Sequence, residues 1–307
     1  MAETDSGSDR SGARGTRQRA GRFAPSPTGA LHLGSLTTAI ASYLDARHAG
    51  GRWLLRIEDL DSARVVPGAA DAMLRTLETL GLGWDGPIVR QSRRLPLYRE
   101  AVASLEAAGL AYPCSCTRRD IGATDDAGGY PGTCRAGPTK PGPFAMRFRA
   151  DRCPVAPFID RVQGPVDIDA SALGDPIIRR RDGLYAYQLA VVVDDAAQGI
   201  SDVVRGADLL PSACWQRSLQ RALALPEPAY AHLPLVCERD GRKLGKSRHS
   251  VAAQADSASG QVWRVLTLLR QGPPVELAAA PLPELWSWAI AHWRLGALRA
   301  VASLSAD

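Results

Sequence analysis

The chain has 307 residues, 45% of them hydrophobic and 22% charged, a composition that suits a globular protein of one large or two modest domains. No run reaches the roughly 18–20 apolar residues of a membrane span, and the first twenty residues mix Ser, Gly, Arg and acids with no apolar core, so a membrane partner and a secretory leader are excluded. The net charge of +5 and pI near 9.0 favour a polyanionic partner only weakly, and six unevenly placed cysteines argue against a disulfide scaffold and for the cytoplasm.

Residues 1–19 read as a disordered basic lead-in. Next comes a Pro/Gly-constrained turn, Pro25-Ser26-Pro27-Thr28-Gly29, which delivers His32 to a helix start. Leu33, Leu36, Ile40 and Leu44 mark the apolar face of a helix over 33–47, stopped by His48-Ala49-Gly50-Gly51. Residues 53–57 form a buried strand that ends at the acids of Glu58-Asp59-Leu60-Asp61. Pro67 opens a helix with Met73, Leu74, Leu77 and Leu80 on one face, and Gly81 closes it. Another helix spans about 96–108. This alternation predicts an α/β fold, a Rossmann-like doubly wound parallel sheet whose strand carboxyl ends bind the nucleotide, with residues 20–109 as its first half.

Residues 110–170 break the rhythm and are expected to form a small inserted subdomain. It holds Cys114, Cys116 and Cys134, a Gly/Pro-rich stretch, a half-exposed strand over 144–149 whose residues alternate apolar and basic, and a hairpin over 158–168 turning at Gly164-Pro165. The second half of the α/β fold, 171–250, resumes with the Arg179-Arg180-Arg181 cluster and the Asp182-Gly183 turn. The run over 185–195, a strand over 200–204 and a helix near 208–224 follow. An Asp240-Gly241 hairpin turn then leads into Lys243-Leu244-Gly245-Lys246-Ser247. Residues 251–307 are expected to be a short helical tail, carrying Val262, Val265, Leu266 and Leu269 on one face and then Trp286, Trp288 and Trp293.

Two stretches carry chemistry. Unpaired backbone N–H groups at a helix start attract phosphate, so His32 stands where a phosphate group would bind. Lys243, Lys246 and Ser247 on a Gly-loosened loop suit a polyphosphate. A lone histidine more often caps or packs, but within Pro-Ser-Pro-Thr-Gly-x-x-His-x-Gly a purely structural role is improbable. The three cysteines in a Gly/Pro-rich loop suggest a structural metal staple, with three free reduced thiols as the alternative. Cys153, Cys214 and Cys237 read as small buried residues.

The His32 and Lys243–Lys246 stretches resemble the two signatures of class I aminoacyl-tRNA synthetases. Leu244-Gly245 stands where the common second signature has Met-Ser, while both lysine positions are kept. The blocks Arg22-Phe23-Ala24-Pro25-Ser26-Pro27-Thr28-Gly29, Arg56-Ile57-Glu58-Asp59, Gly81-Leu82-Gly83-Trp84-Asp85, Val192-Val193-Asp194-Asp195, Gly199-Ile200-Ser201 and Val204-Arg205-Gly206 narrow the likeness. They occur in the order found in glutamyl-tRNA synthetases.

The resemblance implies ATP-dependent activation of L-glutamate, with Mg2+ expected beside the ATP. It implies that Arg22 and Arg205 pair with substrate carboxylate, that Glu58 takes the ammonium, and that Ser26 and Tyr187 add hydrogen bonds, with Phe23, Ala24 and Pro25 in the same pocket. It assigns His32, Gly34, Lys243, Lys246 and Ser247 to ATP, with His32, Lys243 and Lys246 catalytic, and one structural Zn2+ to Cys114, Cys116, Tyr130 and Cys134. The stretch after Ser247 falls below the roughly 100-residue mode of an independent domain. On that ground the chain is similar to the truncated paralogues, the glutamyl-queuosine tRNA(Asp) synthetases. That likeness implies a monomer that places glutamate on the queuosine base in the anticodon stem-loop of tRNA(Asp). A compact glutamyl-tRNA synthetase charging a 3′ end, and a non-catalytic zinc and nucleic-acid-binding relic, are the alternatives.

Overall fold

The computed structural model describes residues 18–122, 129–237 and 257–305. The first strand, β1 (Ala20–Phe23), runs parallel to β2 (Arg52–Ile57), with Ala20 opposite Arg52 and Phe23 opposite Leu55. Parallel neighbours need a crossover, and α1 (Leu33–His48) supplies it. Gly21 lets strand and helix close on each other, because a Cβ there would sit 3.2 Å from the Cβ of Ala46. A second crossover through α2 (Ala69–Thr79) brings β3 (Val89–Arg90) beside β2, again parallel. This helix starts later than its proline suggests. Gly68 caps it at φ 74°, a left-handed conformation that makes Pro67-Gly68 a turn.

The chain then passes through α3 (Leu95–Ala107) into β4 (Ala111–Cys114), α4 (Arg118–Gly122), β5 (Ala145–Phe148), β6 (Phe158–Asp160), β7 (Gly164–Val166) and β8 (Ile177–Arg179). Strands β4, β5 and β8 form an antiparallel sheet, so the inserted sheet draws its third strand from beyond residue 170. β5 is buried along its whole length rather than half-exposed. Its Arg147 points at the cysteine cluster and stacks on Tyr130 instead of meeting solvent. The β6–β7 hairpin turns before Gly164 because the Asp160 carboxylate accepts the N–H groups of Val162 and Gln163 and closes the turn on itself.

The parallel layer resumes with α5 (Tyr187–Gln198), β9 (Asp202–Gly206), α6 (Leu210–Ala222) and β10 (Ala229–Leu233), β9 and β10 being parallel. β9 lies against β1, where the Ser201 N–H donates to the Ala20 carbonyl at 2.9 Å. Side chains alternate across this layer: Trp53 and Leu55 enter a core with Leu36, Ile40 and Leu44, while Leu54 meets Ile200, Val203 and Ala213. A further core joins α3, α5 and α6 to the inserted sheet through Tyr98, Leu105, Phe148, Leu189 and Leu219.

β11 (Leu235–Cys237), α7 (Ala258–Leu268), α8 (Leu282–His292) and β12 (Ser303–Ser305) complete the described chain. The tail docks on α1 and α2: Val262, Leu266 and Trp286 share their core, and the Trp286 indole donates to the Leu80 carbonyl at 2.8 Å. β12 pairs with β11. Among the described residues no helix is long and apolar enough to cross a membrane.

Candidate functional site

A cavity of about 540 Å³ opens at the carboxyl ends of the parallel strands. Arg22, Phe23, Ala24, Pro25 and Ser26, running out of β1, form one wall; Glu58 follows β2, Arg205 comes from β9, and Tyr187 begins α5. His32 lines the same space from the N-cap of α1. The fold thus gathers residues spread over most of the chain around one cavity. Gly34 does not line it, but a Cβ there would lie 3.2 Å from His32 Cε1, so the glycine makes room for the imidazole. Lys243, Lys246 and Ser247, and the Asp240-Gly241 turn, lie outside the described residues.

The imidazole of His32 is set by its own helix. Nδ1 accepts the Ser35 N–H at 3.3 Å, which leaves the proton on Nε2, 3.0 Å from Ser35 Oγ. The N-capping contact holds the ring where the first turn of α1 exposes its N–H groups.

Under the cavity floor lies a buried charge network that sequence reading did not single out. Arg22 Nε donates to Asp195 Oδ1 at 3.2 Å, and Arg56 Nη1 reaches the same oxygen at 2.8 Å. Asp194 receives Gln91, Arg94 and the Tyr98 hydroxyl, the last at 2.7 Å. Arg56 is fully buried, and its Nε and Nη2 find no hydrogen-bond partner among the described residues. They sit at ion-pair distance from Asp194 and Glu58, 3.8 and 3.6 Å. Burial pushes the Asp195 carboxyl up, but Arg22 and Arg56 outweigh it and hold it below the usual carboxylate range. Glu58 goes the other way: burial, reinforced by Asp195 and Asp194, exceeds the pull of Arg56 and Arg22 and carries it to about 7. Arg22, Arg56, Glu58 and Asp194-Asp195 all fall in the sequence blocks quoted above, but nothing in the sequence signals that they pair with one another.

A second constellation lies in the inserted sheet. The sulfurs of Cys114, Cys116 and Cys134 all fall within 4.8 Å of one another, and Cys116 Sγ is 3.5 Å from Cys134 Sγ. The Tyr130 hydroxyl is 3.3 Å from Cys114 Sγ and 3.6 Å from Cys116 Sγ. In a tetrahedral thiolate site with bonds of about 2.3 Å, the sulfurs stand about 3.8 Å apart, so the donor set and spacing fit a small cation. Burial pushes the Cys134 thiol up, but contacts from Ser115, Tyr130 and Cys116 more than reverse this and bring it to about 5. Arg147 Nε donates to Cys114 Sγ at 3.3 Å, a contact that sequence reading also missed.

The family model described as tRNA synthetases class I (E and Q), catalytic domain, matches residues 20–269. The chain is similar to the glutamyl-Q tRNA(Asp) synthetase of Ectopseudomonas mendocina (strain ymp), 54% identical over 274 residues spanning 89% of this chain and 92% of the relative. It is similar to that of Dechloromonas aromatica (strain RCB) at 50% over 286 residues, 91% and 95% of the two chains. Among solved structures, glutamate-tRNA synthetase from Elizabethkingia anophelis matches with a TM-score of 0.79 at 26% identity, covering 94% of this chain and 68% of that one. The methionyl-tRNA synthetase of Mycobacterium tuberculosis in complex with methionyl-adenylate shares the fold, with a TM-score of 0.54 at 16% identity over 82% of this chain and 64% of that one.

Proposed function

The chain belongs to the glutamyl-Q tRNA(Asp) synthetases, within the class I (E and Q) tRNA synthetases, and from that premise we propose how it works. It activates L-glutamate with ATP in the absence of tRNA and transfers the glutamyl group to the queuosine base in the anticodon of tRNA(Asp). In the first step a carboxylate oxygen of glutamate attacks the α-phosphorus of ATP and pyrophosphate leaves. In the second an acceptor hydroxyl attacks the activated carbonyl and AMP leaves.

The observation that carries this reading is the convergence of Arg22, Arg205, Glu58, Tyr187 and His32 on one cavity. Two guanidinium groups and one carboxylate complement the charges of glutamate. Arg22 and Arg205 take the side-chain carboxylate, Glu58 takes the ammonium, Ser26 and Tyr187 add hydrogen bonds, and Phe23, Ala24 and Pro25 shape the wall. Glutamine would leave a buried arginine without its counter-charge and is rejected on that account. His32, with Gly34 giving it space, meets the phosphates at the start of α1, and Lys243, Lys246 and Ser247 supply the second phosphate contact. Mg2+ enters with the nucleotide. Cys114, Cys116, Tyr130 and Cys134 hold one structural Zn2+, which supplies a cross-link rather than chemistry. The arginines around the inserted sheet grip the anticodon stem-loop, and the enzyme acts as a monomer in the cytoplasm.

Labelled glutamate offered with tRNA(Asp) carrying or lacking queuosine, followed by periodate treatment, tests the assignment. Label confined to the queuosine-bearing tRNA is expected, and an isolated modified anticodon stem-loop should remain a substrate. Robust charging of unmodified tRNA(Glu) at its 3′ end overturns the reading and promotes a compact glutamyl-tRNA synthetase.

A further inference from the structure

Behind Arg205 stands a pair of side chains that the proposed reaction does not use. In the parallel register Arg205 of β9 lies opposite His232 of β10, so both project from the same face. Arg205 Nε donates to His232 Nε2 at 3.0 Å, and His232 Nδ1 lies 2.6 Å from Asp160 Oδ2. All three residues are buried, His232 and Asp160 to within 1% of complete burial. The other oxygen, Asp160 Oδ1, accepts the backbone N–H groups of Val162, Gln163 and His232 at 2.9, 2.8 and 3.1 Å.

Proton accounting leaves one arrangement. Burial pushes Asp160 up, but the His232 contact and the backbone donors more than offset this, and it stays ionised. An ionised carboxylate only accepts, so His232 Nδ1 carries the proton. Burial, together with Arg205, holds the imidazole below its usual range, so the ring stays neutral and Nε2 offers a lone pair. That lone pair is what a guanidinium N–H requires. Arg205 also reaches the Tyr187 hydroxyl through Nη1 and the Leu209 carbonyl through Nη2, both at 3.3 Å. With these three contacts made, each terminal nitrogen keeps one N–H for a ligand.

We propose that His232 and Asp160 are positioning residues for Arg205: Asp160 fixes the tautomer of His232, and His232 fixes the plane of the guanidinium that meets the substrate carboxylate. The inference rests on the reading of Arg205 as a glutamate ligand and makes glutamate specificity depend on two residues that never touch the substrate.

Asp160→Asn separates positioning from packing, because the two side chains have the same shape. Oδ1 of the asparagine must stay among the three backbone N–H groups, so its NH2 turns to His232 Nδ1. The proton then moves to Nε2 and opposes Arg205 Nε–H. A buried donor left facing a donor is expected to raise KM for glutamate about 10- to 100-fold in pyrophosphate exchange, with KM for ATP within about twofold. His232→Gln, whose amide can donate to Asp160 and accept from Arg205, should restore most of the affinity that His232→Leu loses. Nitrogen-15 NMR of imidazole-labelled wild-type protein provides a readout independent of activity: Nδ1 should be protonated and Nε2 pyridine-like, with the pattern reversed in Asp160→Asn. A wild-type imidazolium, or a proton on Nε2, overturns the inference. Arg205→Ala is the control. If it raises KM for glutamate while Asp160→Asn does not, the inference fails and the pocket reading stands; if it changes nothing, the pocket reading falls and takes the inference with it.

Discussion

The cavity floor and the cysteine cluster solve the same problem, holding polar groups in a dry interior, by opposite means. The floor is self-sufficient: Arg22, Arg56 and Arg94 neutralise Asp194 and Asp195 with charges the chain itself carries, on strands and a helix fixed by two cores. The cluster brings three thiols and a phenol together at the end of β4, packed with Tyr112 and Ile121, and the Arg147 guanidinium donates to Cys114 Sγ. A buried ion network is indifferent to its surroundings until a partner is removed, whereas a cysteine cluster that holds a metal depends on what occupies it. The contrast predicts that damage to the first is global and damage to the second local.

The largest effect is expected from Asp194→Ala. It strips Arg94, Gln91 and Tyr98 of their common acceptor and leaves Arg56 with Asp195 as its close partner, at a cost of about 3–5 kcal/mol in denaturant unfolding. A small shift in midpoint would mean that water reaches the network and that the floor is not the dry structure described here. Next, Arg22→Ala should raise KM for glutamate by about 10²-fold in pyrophosphate exchange while KM for ATP changes little, because one charge-assisted carboxylate contact is lost. An equal effect on both substrates would move Arg22 from recognition to the general stability of the floor.

Acidity gives a third and smaller test. Burial carries the Glu58 carboxyl to about 7, and the substrate ammonium proposed for it pairs only with the ionised form. Glutamate binding therefore releases a proton, and affinity should fall by up to tenfold per pH unit below 7 and level off above it. Calorimetry in buffers of different ionisation heat reads the proton directly, and Glu58→Gln should abolish the dependence. Smallest in its effect on activation should be Cys134→Ser. It should release about one zinc per chain and open the loop to protease, while pyrophosphate exchange survives at least in part and the nucleotide-binding core stays folded. Collapse of the whole fold would erase the distinction between the two regions.

How legible these regions are in the sequence follows the same division. The wall of the cavity was readable because Pro25, Pro27 and Gly29 constrain a short turn and Glu58 follows a recognisable strand, while Arg22, on a strand that no pattern announced, was reached through the family resemblance. The cysteines announced themselves by type and spacing. What supports the wall did not. Residues 189–195 of α5 are all buried, so the helix has no polar face whose period would expose it, and Asp194 looks like the end of an apolar run. Asp160 and His232 meet across 72 residues, and no local pattern encodes that contact. Arg147 reads as the exposed half of an alternating strand, because alternation signals a wet face only where no buried sulfur or ring claims the charged side chain.

The pairing of β12 with β11 has a consequence for how the molecule is made. Leu304 is buried in the same core as Val236, so among the described residues β11 gets its neighbour from residues 303–305. During synthesis the segment that carries Lys243 and Lys246 leaves the ribosome long before that neighbour exists. Until it arrives, β11 has an open edge on the side that β12 will fill. Such sequence-distant parallel pairing is slow to form, so Leu304→Asp should leave β11 exposed on that side for as long as β12 fails to dock.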